Sequence, residues 1–351
     1  MKKSGKILKS ICFLLICMLF MACGAKESSQ YISQAINSIK LTDYTQAIDY
    51  LNKAEEKGED KMQLYRAYGI AYMGMTEYDK AVEALETALA CSSGKITEYE
   101  YDINYYLATA YYKVGRYADA VSIYTAILDL RPKEKQAYYL RGMALLELNN
   151  YNEAVKDFDK TIALDKTDYS VYIDVYTLLS KKGYEAEGRG YLEKVMEKEN
   201  SSMSSYDKGR ICYYMGDYAN ACVYLEQAYK KDESEEVMLF LGRAYDKNGN
   251  LNYASSIYTK YLQENPESAV VYNELGLCKL KQGEYQGALD AFQQALKIED
   301  NDMRQVLLFN EIVAYEHIGE FRRATILLEN YLAIYPDDEE AQREYTFLKS
   351  R

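Results

Sequence analysis

The stretch NYYLATAYYKVGRYADAVSIYTAILDLRP, Asn104 to Pro132, decides how the chain is read. Ala108 and Ala120 stand twelve residues apart, with Tyr117 three before the second alanine and Tyr124 four after it. Gly115 lies between the two apolar runs, and Pro132 follows Ala120 by twelve. Apolar residues recur every three or four positions on either side of the glycine, which predicts two helices joined by a tight turn. A small residue in each helix lets the two backbones approach closely, and large residues around it fill the remaining space.

The same arrangement recurs along the chain. The small residue of the second helix is Ala47, Ala81, Ala120, Ala154, Gly188, Ala221, Ala254, Ala288 and Ala324, at gaps of 33 to 39. Three before it stand Tyr44, Tyr78, Tyr117, Tyr151, Glu185, Tyr218, Leu251, Tyr285 and Phe321. Four after it stand Leu51, Leu85, Tyr124, Phe158, Leu192, Leu225, Tyr258, Phe292 and Leu328. Twelve before it a small residue occurs at Ala35, Gly69, Ala108, Gly142, Gly209, Gly242 and Gly276, with Tyr176 and Ile312 as exceptions. Gly115, Asn149, Gly216, Gly249, Gly283 and Gly319 are placed to end the first helix in a left-handed conformation. All three prolines, Pro132, Pro266 and Pro336, follow their alanine by twelve, where a proline stops the second helix.

This pattern resembles the tetratricopeptide repeat, a helix–turn–helix unit of 34 residues. The resemblance covers nine units over residues 31–336, with Tyr31, Tyr65, Tyr138, Tyr172 and Tyr272 where the motif often has Trp. It implies an all-α, right-handed superhelical solenoid, because no single helix pair can bury its apolar stripe without its neighbours. After Pro336 the segment 337–351 reads as a capping helix, with Ala341, Tyr345 and Leu348 on one stripe and Asp337 and Asp338 near its N-terminus. The fifth unit is irregular: Glu185 and Gly188 replace the expected Tyr and Ala, and Gly183, Gly188 and Gly190 crowd one stretch. The stack is expected to be weakest over 183–205, either as a joint or as a divergent repeat that packs normally.

The first 22 residues follow other rules. Lys2, Lys3, Lys6 and Lys9 precede the apolar run Ile11 to Ala22, which is too short for a membrane span and reads as a signal peptide. Ala22, Cys23 and the polar stretch 23–30 resemble a bacterial lipoprotein signal, with Phe20 and Met21 as departures. The resemblance implies acylation of Cys23, palmitate among the acyl chains, and an extracytoplasmic protein lipid-anchored to the cell membrane.

Composition narrows the chemistry. Acidic residues number 54 against 42 basic ones, for a net charge of −12, which argues against a nucleic-acid partner. His317 is the sole histidine, so multi-His metal centres and most His-based acid–base catalysis are excluded. There is no phosphate-binding glycine loop and no paired Cys-x-x-Cys, so neither cofactor nor metal is expected, and no enzyme. Cys212 and Cys222 stand in facing helices of one unit, either as a disulfide or, by their packing slots, as small buried thiols.

The resemblance also implies a binding face. In this family the first helices line a concave groove for peptides or protein partners, and alignment places Arg66, Tyr105, Tyr106, Tyr112, Tyr139, Tyr206, Tyr213, Phe240, Arg243, Asn273 and Phe309 there. The family's clamp for C-terminal carboxylates is not expected: Arg66 is followed a turn later by Ile70, and Asn310 lacks basic partners. With 39 Tyr in the chain, a groove stacking cell-wall glycan is the alternative.

Overall fold

The structure is a computed structural model and describes residues 30–92, 97–199, 202–299 and 301–350. The leader 1–22, Cys23 and the tether up to residue 29 lie outside the described residues. Every regular element among the described residues is a helix. They fall into two compact units that succeed each other at Gly183 and Tyr184.

The first unit holds α1 (Gln30–Lys40), α2 (Tyr44–Glu56), α3 (Lys61–Gly74), α4 (Tyr78–Ala90), α5 (Glu98–Lys113), α6 (Tyr117–Leu130), α7 (Lys135–Glu147), α8 (Tyr151–Leu164) and α9 (Tyr169–Lys181). The second holds α10 (Glu185–Glu199), α11 (Ser205–Tyr214), α12 (Tyr218–Tyr229), α13 (Glu235–Lys247), α14 (Leu251–Glu264), α15 (Ala269–Gln282), α16 (Tyr285–Leu296), α17 (Arg304–Ile318), α18 (Phe321–Ile334) and α19 (Glu339–Lys349). Within each unit consecutive helices pack on one another, and first helices also touch the next first helix, as α1 does α3 and α3 does α5. This stacking of helix pairs on their neighbours is a solenoid.

The crowded-backbone reading has a direct geometric counterpart. A Cβ added at Gly69 would lie 2.4 Å from Leu85, at Gly142 2.7 Å from Phe158, and at Gly209 2.5 Å from Leu225. At Gly242 and Gly276 it would lie 2.4 Å from the Tyr258 and Phe292 rings. In these five first helices the small residue thus receives the large residue sixteen positions later, and all nine small residues of the second helices are buried. Ile312, an exception in sequence, is buried as well.

Each first helix ends on a residue with positive φ: Gly115, Asn149, Gly216, Gly249, Gly283 and Gly319, as expected, together with Thr42, Thr76 and Gly183. The next N–H then reaches back five residues, as Arg116 N–H does to the Tyr111 carbonyl at 2.8 Å and Glu77 N–H to the Tyr72 carbonyl at 2.9 Å. These bonds fix the backbone whatever the side chain, so two threonines occupy a conformation that β-branched residues seldom adopt. Gly183 terminates α9 and so does not weaken a helix interior; only Gly188 and Gly190 lie inside α10.

Pro132, Pro266 and Pro336 stand two residues beyond α6, α14 and α18. At the C-terminus Asp338 caps α19 by accepting the Ala341 N–H at 3.3 Å, and it also accepts the Tyr331 hydroxyl at 2.6 Å. Ala341 and Leu348 close the core over Ala324 and Leu328. Polar ties also join the helices: the Arg141 guanidinium holds buried Asp157 through two bonds of 2.8 Å, and donates to Thr125 at 3.1 Å, linking α6, α7 and α8.

Candidate binding surface

The residues expected to line a groove separate into two groups. Arg66, Tyr105, Tyr106, Tyr139 and Asn273 are buried, each at most 8% exposed. In the first unit Arg66 pairs with Asp102 of the next first helix at 2.5 Å. Tyr105 meets Tyr124 edge-on at 5.8 Å, and Tyr139 packs on Phe158. Burial raises the Tyr105 and Tyr139 hydroxyls well above the usual phenol range. These side chains fill the seams between helices, so the surface they were assigned to is built by others. Tyr112 remains half-buried, edge-on to Tyr117 at 5.4 Å.

In the second unit Tyr206, Tyr213, Phe240, Arg243 and Phe309 are all half-buried. Three of them converge. Phe240 of α13 meets Tyr206 and Tyr213 of α11 edge-on, with centroids 5.8 and 6.0 Å away. Tyr214 adds a ring at 5.6 Å from Tyr213, and Tyr218 of α12 another at 5.7 Å. The Arg210 guanidinium sits over Tyr206 at 5.3 Å and over Phe240 at 5.5 Å, close enough for cation–π attraction. Burial, then the Glu236 carboxylate that accepts its hydroxyl at 2.7 Å, raises the Tyr206 pKa. Burial likewise pushes Tyr213 up to about 12. The Tyr206 and Tyr213 phenols therefore stay neutral, and the patch gathers its rings around the Arg210 guanidinium, which lies 3.9 Å from Asp207.

Around this patch the charges of neighbouring first helices are largely spent on each other. Arg243 bonds Glu274 at 2.5 and 3.0 Å, and although burial opposes its charge, that carboxylate more than compensates and raises its pKa. Lys281 bonds Asp246 at 2.5 Å, and the Asn310 amide donates to Asn273 at 2.8 Å. Asn310, considered for a carboxylate clamp, is thus tied to Asn273. Phe309 lies apart from the patch, packed on Tyr331 at 5.8 Å. His317 is exposed and stacks on Tyr285 at 4.8 Å.

The cysteine question resolves geometrically: Cys212 and Cys222 are buried and unbridged, in one core cluster with Ala221 and Leu225. Burial pushes both thiols up to about 11. No grouping of His, Cys, Asp and Glu suited to a metal ion occurs among the described residues, and no helix there is long and apolar enough to cross a membrane.

Sequence profiles of the tetratricopeptide repeat match residues 105–169, 204–234 and 269–302. The chain carries tetratricopeptide repeats. The third of these TPR segments includes Asn273, Gly276 and Phe292, the second Tyr206, Tyr213 and Leu225. A TPR repeat-containing protein of Methanocaldococcus jannaschii is 24% identical over 256 residues, covering 68% of this chain and 43% of that protein. BBSome complex member BBS4 of Bos taurus is 21% identical, over 47% of this chain and 31% of its own length. The chain spans less than half the length of these two relatives. Among solved structures, a TPR protein from Parabacteroides merdae is similar over 81% of this chain and 97% of its own, with 17% identity and a TM-score of 0.48. MamA from Desulfovibrio magneticus is similar over 50% of this chain and 98% of its own, with 20% identity and a TM-score of 0.42. TPR units mediate contacts between proteins, which fits a surface of rings and few free charges.

One feature of the patch escaped sequence reading. Tyr214 occupies the same first helix as Tyr206, Arg210 and Tyr213, yet only the packing of α13 against α11 reveals that it shares Phe240 with them. The signal available in sequence was the density YYMGDY at 213–218, three rings within six residues.

Proposed function

We propose that this protein is a non-catalytic scaffold that binds an extended peptide or protein segment on its first helices, centred on the α11–α13 patch. Cys23, acylated with palmitate among its chains, would hold it on the extracytoplasmic side of a bacterial membrane. The carrying observation is the convergence of Tyr206, Tyr213, Tyr214 and Phe240 around Arg210 at half-buried positions. Rigid rings and an arginine give large contact area at small entropic cost, which is the composition of interface anchors. The acidic balance of the chain supports a protein partner over a nucleic acid. Sugar stacking along the same face has less support, because Tyr105, Tyr106 and Tyr139 present no ring face to solvent.

The test is affinity capture with detergent-extracted full-length protein, comparing the native chain with a Tyr214→Ala/Phe240→Ala variant of unchanged helicity. Loss of a specific captured species supports the reading, and an identical set of species removes it. The anchor is tested separately by palmitate labelling, which Cys23→Ala should abolish.

A further inference from the structure

Seven of the nine repeats place Tyr or Phe three residues before the small residue of the second helix. The repeat around Ala254 does not: Leu251 takes that position, and the aromatic moves two residues on, to Tyr253. Leu251 is partly buried and its carbonyl accepts the Cys278 thiol at 3.2 Å, so the packing role is filled without the ring. Tyr253 is 50% exposed. Its ring is nevertheless fixed, 4.3 Å from Tyr245, whose own hydroxyl is held by Glu226. The fold therefore keeps an ordered aromatic face in solvent at a place where stacking of the helices does not need one.

That ring borders a concavity of about 640 Å³ where α14 begins and α15 ends, within the second unit. Asn250, Asn252, Ser256, Gln282 and Glu284 also line it. Its size is in the range that holds small ligands, roughly 300–1,000 Å³. The chemistry is amide and hydroxyl, groups that both donate and accept. Gln282 Nε2 donates to Asn252 Oδ1 at 2.7 Å. Its Oε1 is buried and receives no hydrogen bond among the described residues, so the amide faces the concavity through its nitrogen side and the exposed Asn250 and Asn252 carry most of the polar lining. Glu284 is the only charged lining residue, and Lys279 pairs with it at 3.0 Å. Gly287 leaves the space for that lysine, since a Cβ there would lie 2.9 Å from Lys279 Nζ.

We propose that this concavity is a binding site for a neutral sugar, with one pyranose ring stacked on Tyr253 and its hydroxyls bonded to Asn250, Asn252 and Gln282. A pyranose presents an apolar C–H face and a rim of hydroxyls, which matches one exposed ring beside several amides. A charged ligand finds no unspent opposite charge in the lining. The site is separate from the α11–α13 patch, and either assignment can fail without the other.

The experiment is saturation-transfer NMR and calorimetric titration of the full-length protein in a detergent without sugar headgroups, using cellobiose, maltose and N,N′-diacetylchitobiose. At least one disaccharide should bind saturably. Tyr253→Ala should weaken it at least about tenfold, or ~1.4 kcal/mol. Tyr253→Phe, which keeps the ring face, should bind within about twofold of the native chain. Because Tyr253 is half exposed, circular dichroism should show both variants folded. The proposal is overturned if none of the three sugars saturates, if Tyr253→Ala binds as well as the native chain, or if Tyr253→Phe loses as much as Tyr253→Ala. Stronger binding of glucose 6-phosphate than of the neutral sugars would also overturn it.

Discussion

Replacing Gly276 by alanine probes the packing rule that generates the fold. In α15 the new Cβ would lie 2.4 Å from Phe292 Cε1 and 2.7 Å from Cδ1 and Cζ. Ordinary contact begins near 3.4 Å, so the ring or the helix must move by about an ångström. The Phe292 ring is fully buried, in one core cluster with Ala288, Leu289, Ala295 and Leu307, and it cannot swing without displacing them. Overpacking of this kind costs about 1–3 kcal/mol, and the clash is severe enough to place it near ~3. Alanine's better helix propensity returns about 1 kcal/mol. The expected net loss is ~2 kcal/mol, read as a lower urea midpoint and as faster hydrogen exchange in α15 and α16. Gly190→Ala is the control, because nothing lies within 4 Å of a Cβ there, and it should stabilise by up to ~1 kcal/mol. Adding Phe292→Leu to Gly276→Ala should recover part of the loss, since the chain already pairs Ala35 with Leu51, both fully buried. If Gly276→Ala stabilises the protein as much as Gly190→Ala does, the crowded-backbone account is refuted.

Three further outcomes follow from the same geometry. Asp157→Ala strands the Arg141 guanidinium between α7 and α8 and should cost ~3 kcal/mol, measured by denaturant titration, whereas a surface control such as Glu153→Ala should be nearly neutral. Glu100 caps α5: Thr97 donates to it first, and Ser92 also bonds it at 2.7 Å, and together these hold its carboxyl below the usual range. Its contribution to stability is therefore full above the unfolded value near ~4.3 and is lost as pH falls through the lower folded value, so the acid loss in Tm should be shallower in Glu100→Gln. Alkylation at pH 8 mapped by mass spectrometry should mark exposed Cys91 rapidly, while Cys212, Cys222 and Cys278, each pushed up to about 11 by burial, should react only on unfolding.

The repeat was legible in sequence because the closest approach of two helices admits so few side chains. Gly142, Gly242 and Gly276 mark that approach, and Phe158, Tyr258 and Phe292 mark what fills it. Turn positions were legible only where Gly or Asn stood. At Thr42 and Thr76 the reverse hydrogen bonds impose the left-handed backbone on residues that do not advertise it. The proposed binding face could be assigned from sequence only helix by helix. In a solenoid a first helix has neighbours on both flanks as well as its own second helix, so a stripe assigned to solvent can be a seam, as it is for Tyr105 and Tyr139. Which ring meets which depends on the rotation of α11 against α13, and sequence spacing within one helix carries no record of it.

The account of function rests on the first-helix face of the second unit being where a partner docks. The direct measurement is site-specific photocrosslinking in cells producing the full-length protein, with benzoylphenylalanine at Tyr214 on α11 or at Val223, 51% exposed on α12. The account predicts a discrete protein adduct from position 214 that disappears with Phe240→Ala, and none from position 223. Adducts of equal yield from both positions, or from 223 alone, would contradict it.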